Sequence, residues 1–144
     1  MNPKPIRTTD LRVSRTIPAA PERVYDVWLD HTSPGGPWYG SKKVIVDLKV
    51  DGLFHHAMEW EGKTWAHYGR FITLERGKKI EHTWMSPATQ GLETLVDTTL
   101  EKKGDDTVIT IDHRGVPDDE MGRHHAQGWT WISDALADML GKKK

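Results

Sequence analysis

The hydrophobic period of the chain changes once, and that change limits what it can fold into. From Lys42 to Arg114 apolar residues recur at every second position, the period of a half-buried strand. Val44, Val46, Leu48 and Val50 share one face, as do Phe54, His56, Met58 and Trp60 in the next segment. A strand is predicted from Trp65 to Leu74, with Gly69 marking a bend or bulge. Ile80, His82 and Trp84, then Val96, Thr98 and Leu100, then Ile109, Ile111 and His113 continue the pattern. Asp51-Gly52, Glu61-Gly62-Lys63, Arg76-Gly77-Lys78 and Lys103-Gly104-Asp105-Asp106 separate the segments as tight turns. Beyond Gly115 and Pro117 the period becomes helical. Asp118 to Leu140 reads as one helix of about 35 Å at ~1.5 Å per residue, with Asp118 or Asp119 as its N-cap.

That helix has an unusual apolar stripe. Met121, His125, Gly128, Trp129, Ile132, Leu136, Met139 and Leu140 fall in one sector, with Arg123, Gln127, Thr130, Ser133, Asp134 and Asp138 opposite. A histidine, a glycine and a tryptophan stand where leucines are expected. The N-terminal part supplies a strand over Thr8–Ile17 and a helix that starts at Pro21, carries Val24, Tyr25, Val27, Trp28 and Leu29, and runs to about Thr32. Ser33-Pro34-Gly35-Gly36-Pro37 breaks it, and Trp38-Tyr39-Gly40 follows as a short helical turn or loop. Strands grouped by short turns, with helices set apart from them, imply an antiparallel sheet and an α+β fold. A curved sheet wrapped round the last helix is the economical way to bury the stripe, and it leaves room for a cavity.

Composition removes several classes of function. A net charge of −1 and a pI near 6.7 argue against a nucleic-acid binder. No run approaches the ~18 apolar residues of a membrane span, and Met1 to Asp10 has no secretory pattern, so a cytoplasmic location is expected. The absence of cysteine excludes disulfides and thiolate metal sites. Seven tryptophans leave two uses open, core filler or the wall of a ligand cavity. Trp28 and Trp84 fit either; Trp38 and Tyr39, after the Pro/Gly break, are candidates to gate a pocket mouth.

Strand parity turns His56, His82 and His113 toward the helix, and His125 lies in the helix stripe. Three uses stay open: structural histidines bonded to carbonyls or carboxylates, polar groups that orient a ligand in an apolar pocket, and general acid/base chemistry. If there is catalysis, its candidates are His125, His113 and His82. No metal or cofactor is expected: His55-His56 and His124-His125 are adjacent and diverge, and no phosphate loop, dinucleotide fingerprint or serine elbow is present. The candidate ligand-binding set is Trp28, Trp38, Tyr39, His56, Met58, Trp60, His82, Trp84, His113, His125, Trp129 and Ile132.

Pro21 to Trp28, Val50-Asp51-Gly52, Gly69-Arg70-Phe71, Ile80 to Trp84, Gly104 to His113 and His125 to Trp129 come in an order that carries a family resemblance. The chain resembles small bacterial proteins classed with the C-terminal domain of heat-shock-protein ATPase activators, within the birch-pollen-allergen-like and START (SRPBCC) superfamily. The resemblance implies a helix-grip fold: a curved seven-stranded antiparallel sheet round a long C-terminal helix, with two small helices between the first and second strands. The length gives one domain, set over residues 8–141, with 1–7, which holds Pro3 and Pro5, and the basic 142–144 expected as flexible tails. The resemblance also implies an internal cavity for a hydrophobic or aromatic small molecule. A cofactor-independent enzyme and a chaperone-associated or homodimeric interaction module are the alternatives. Chaperone activation itself belongs to a longer eukaryotic protein and is not carried over. Two departures from the usual pattern are Asp51-Gly52 in place of Gly-Gly, and His56 and His82 where apolar or aromatic residues are common.

Overall fold

In the computed structural model, which describes residues 6–41 and 43–141 and of Trp60 only the backbone, each period-two segment forms a strand. The elements are β1 (Thr8–Ile17), α1 (Pro21–Leu29), β2 (Lys43–Val46), β3 (Leu53–Trp60), β4 (Lys63–Glu75), β5 (Lys79–Trp84), β6 (Thr94–Lys103), β7 (Asp106–Pro117), α2 (Glu120–Arg123) and α3 (His125–Gly141), with a single 3₁₀ turn at Pro87–Thr89. The strands form one seven-stranded antiparallel sheet in the order β1-β7-β6-β5-β4-β3-β2. Only the β1–β7 pairing joins strands distant in sequence; every other pair is a neighbour, as tight turns require.

Of the two small helices expected between β1 and β2, the first is α1. The second is a series of i→i+3 turns, with Tyr39 N on the Gly36 carbonyl and Ser41 N on the Trp38 carbonyl. α1 ends at Leu29, earlier than Thr32, because the Asp30 carboxylate takes the Thr32 amide at 2.9 Å and both following hydroxyls. β2 stops at Val46. Leu48 and Val50 are exposed in a loop, since Gly52 N bonds the Lys49 carbonyl and Asp51 N reaches the Phe71 carbonyl of β4. The bulge in β4 falls between Phe71 and Thr73, not at Gly69.

The C-terminal stretch is two helices, not one. Asp119 caps α2 by accepting from Gly122 N at 2.7 Å. The Gly122 carbonyl then takes the His125 imidazole, Nδ1 at 2.8 Å, and the regular helix is interrupted at His124. Glycine is required at 122, since a Cβ there would collide with the Pro117 carbonyl. α3 buries Trp129, Ser133, Leu136, Ala137 and Leu140. Ser133, assigned to the solvent side by the pattern, is buried because its hydroxyl bonds back to the Trp129 carbonyl at 2.9 Å and satisfies itself within the helix.

Beneath α3 the core is formed by Ile17, Val24, Trp28, Ile80, Val96, Ile109, Ile111 and Leu136, all 0–1 % exposed. Toward β3 and β4 it becomes aromatic: Trp38 lies edge-on to Phe54 at 5.2 Å and tilted against Phe71 at 5.9 Å. The Arg7 carbonyl accepts from Asp118 N at 2.8 Å, which ties the start of β1 to the end of β7. Residues 1–5 and 142–144 lie outside the described residues.

Candidate functional site

Between the β3–β4 end of the sheet and the α2–α3 break lies a cavity of about 430 Å³. The β3–β4 hairpin builds one wall. Its two turn residues, Glu61 (φ 51°) and Gly62 (φ 73°), both adopt the left-handed region, as a type I′ turn demands. That turn sets Met58 opposite Trp65 and His56 opposite His67. All four side chains line the cavity, together with Glu59 at the strand end. β5 adds Trp84, the 3₁₀ turn adds Ala88, and the loop after α1 adds Pro37. The opposite wall is helical: Met121 of α2, His124 at the break, and His125, Gly128, Trp129, Trp131 and Ile132 of α3. Beyond its own chain neighbours and helix backbone, no described atom lies within 4 Å of where a Gly128 Cβ would be, so this glycine leaves space at the wall.

The expected ligand-binding residues separate into two groups. His56, Met58, Trp84, His125, Trp129 and Ile132 meet at the cavity. Trp28, Trp38, His82 and His113 point to the same side of the sheet but are 0 % exposed and stand behind the wall. Tyr39 is 47 % exposed and away from the cavity, so the gate expected from Trp38-Tyr39 is not seated there. The Trp60 side chain lies outside the described residues. Trp65, His67, Glu59, Met121, His124 and Trp131 were not anticipated. His67 and Trp65 were recoverable: a two-residue Glu61-Gly62 turn transfers the inward parity of His56 and Met58 across the hairpin. Trp131 was not, because it lies off the stripe and is 61 % exposed, reaching the mouth edge-on to His124.

Burial favours the neutral ring at His56, His67, His82, His113 and His125, and for His82, His113 and His125 the hydrogen bonds say which nitrogen holds the proton. Trp129 Nε1–H donates to His113 Nδ1 at 3.0 Å, so the His113 proton sits on Nε2 and is given to Thr94 Oγ1 at 2.7 Å. Thr94 passes its own proton to the Trp84 carbonyl at 2.5 Å. This one-way relay satisfies every member, and burial holds His113 well below the usual imidazole range. His82 donates Nδ1–H to the Thr83 carbonyl at 2.8 Å, and burial pushes it down to about 4. At the cavity, burial and then the His67 ring lower His56 to about 3, while burial and His125 lower His67 to about 4. His56 Nδ1 meets Ser41 Oγ at 2.8 Å, and its Nε2, like His67 Nδ1, is a buried nitrogen with no hydrogen-bond partner among the described residues. Burial also lowers His125. Among the described residues no group of three or more histidine or acidic side chains converges as a metal ion requires.

A seven-stranded antiparallel sheet gripping a C-terminal helix, with a ring-lined cavity between them, defines a helix-grip protein of the SRPBCC type. Within that class the chain belongs to the family of activator of Hsp90 ATPase homolog 1-like proteins, whose sequence model matches residues 18–141. No curated protein matches it. Among solved structures it is similar to Mll3558 from Rhizobium loti, with a TM-score of 0.82, 20% identity, and 95% of this chain and 100% of that one covered. It is also similar to CV1439 from Chromobacterium violaceum, with a TM-score of 0.76, 24% identity, and 92% and 97% covered. The Aha1 dimer from Colwellia psychrerythraea aligns with a TM-score of 0.71, 16% identity, and 94% and 98% covered. These likenesses speak to the fold. Among the described residues no helix is long and apolar enough to cross a membrane.

Proposed function

We infer that the chain binds an apolar or aromatic small molecule in the cavity between the β3–β4 hairpin and α3, without a cofactor. The observation that carries this reading is the cavity itself: about 430 Å³, faced by four tryptophans and two stacked imidazoles. Its size falls within the roughly 300–1,000 Å³ of small-molecule sites. Gly128 supports the reading, since a helix interior that gives up about 1 kcal/mol of propensity relative to alanine leaves open space at the cavity wall. A thermal-shift and native mass-spectrometry screen of hydrophobic and aromatic metabolites tests it. A bound molecule at a hundred times its Kd raises stability by about 2.7 kcal/mol, whereas a screen with no stabilising compound counts against the idea.

A second reading, self-association, is favoured by a different surface. Ile45, Leu53 and Tyr68 share the outer face of β2–β4 by register and are 57%, 64% and 47% exposed. The dimeric Colwellia relative makes a homodimer through this face worth testing by light scattering, with Leu53→Lys returning the protein to monomer. As for catalysis, of the candidates His82, His113 and His125 the first two stand behind the wall, which leaves His125 as the one that lines the cavity and could serve a proton-transfer role.

A further inference from the structure

We propose that the cavity selects a neutral aromatic molecule bearing a hydroxyl or N–H donor over the carboxylate of the same ring system, with His125 Nε2 as the acceptor. This rests on the ligand-binding reading and assigns the polar end of the ligand.

The tautomer comes first. A carbonyl oxygen only accepts, so the 2.8 Å contact between His125 Nδ1 and the Gly122 carbonyl places the ring proton on Nδ1. In the neutral ring Nε2 therefore carries a lone pair. Nδ1 is turned back onto α2, and the ring makes no other hydrogen bond among the described residues, so Nε2 is the nitrogen left to the cavity. The rings around it offer no accessible substitute: Trp129 has its N–H committed to His113, both His113 nitrogens are engaged, and His56 Nε2, His67 Nδ1 and Trp84 Nε1 are themselves buried within the wall. The His113 ring packs edge-on to His125 at 4.8 Å and burial lowers both, which keeps the acceptor unprotonated.

Charge selects in the same direction. Among the described residues no lysine or arginine lines the cavity, and the one carboxylate at its wall is Glu59. An anionic ligand would leave water and meet no cation, an arrangement that costs far more than burying a neutral hydroxyl with a partner. The remaining lining is flat: Trp65, Trp84 and Trp129 present ring surfaces suited to an aromatic body.

Three probes that share one ring system isolate the polar group. Naphthalene, 2-naphthol and 2-naphthoate are titrated at pH 8 against the full chain by calorimetry, with tryptophan fluorescence as a second readout. The expected order is 2-naphthol about five- to tenfold tighter than naphthalene, and 2-naphthoate at least about tenfold weaker than naphthalene. His125→Phe keeps a ring at the wall, so it should abolish the advantage of 2-naphthol and leave naphthalene binding in place. The imidazole ¹⁵N spectrum of the wild-type protein supplies a readout that needs no variant: on 2-naphthol addition the His125 Nε2 resonance moves while Nδ1 stays protonated. Equal binding of naphthalene and 2-naphthol, tightest binding of the carboxylate, or an unmoved Nε2 resonance overturns this proposal and leaves the cavity reading standing. Failure of all three probes to bind removes both.

Discussion

His56 and His67 lie ring over ring across the β3–β4 hairpin, with centroids 4.4 Å apart and planes within 14° of parallel. Two imidazolium ions at that spacing would repel each other, so the stack depends on both rings being neutral. With His82, lowered to about 4, and His113, they make a buried group that gains protons when the chain unfolds.

The sign of the pH effect follows. Each folded-state pKa lies below the unfolded value of 6.5, so the unfolded chain binds more protons between pH 6.5 and about 4. Stability is full above that window and falls as pH drops through it. His82 alone, fully buried, accounts for a loss of about 3 kcal/mol by pH 4. Urea midpoints at pH 7.5, 6.5, 5.5 and 5 check this in a range where few carboxylates titrate. A flat profile would show that the rings escape water only in part.

Thr94 is the middle of the relay that ties β6 to His113 and Trp84. Thr94→Val keeps the shape but leaves the His113 N–H without an acceptor in the core. The expected loss is about 2 kcal/mol, read from the denaturant midpoint, with Thr94→Ser recovering most of it.

Glu61 holds a left-handed conformation at φ 51° in a turn where asparagine is favoured. Glu61→Asn should stabilise the fold by about 0.5 kcal/mol without moving the register that pairs His56 with His67. The thermal midpoint gives the first quantity, and cross-strand NOEs between β3 and β4 give the second.

Gly128 separates stability from binding. Gly128→Ala should raise stability by up to about 1 kcal/mol with little change in 2-naphthol affinity, since the wall stays open. Gly128→Leu should keep the fold and weaken 2-naphthol at least about tenfold by filling the space. Unchanged affinity in the leucine variant would place the ligand elsewhere.

The strands were legible because each is half-buried, and inward residues such as Val96, Ile109 and Ile111 mark their own face. The end of β2 at Val46 was not, because Leu48 and Val50 keep the alternation while their backbone turns toward Phe71. The break at His124 was hidden for a similar reason: helical periodicity reports side-chain positions, and a histidine that bonds the Gly122 carbonyl leaves the period unaltered. Parity found the inward histidines but could not rank their depth. His82 and His56 both face inward, yet the first is sealed behind Trp38 and Phe54, and the second reaches the cavity because β3 approaches the sheet edge. Depth is a property of neighbouring strands, which no single segment encodes.

Trp84, Trp129 and Trp28 run inward from the cavity wall, with centroids 5.2 Å and then 6.2 Å apart. Indoles this close share their excited states. Two of the three sit on α3 and the sheet, and the third on α1, so the array exists only when all three layers are in contact. Its exciton-coupled circular dichroism is therefore an optical signature of the closed grip, and it reports loosening of α3 even where far-ultraviolet helicity is unchanged.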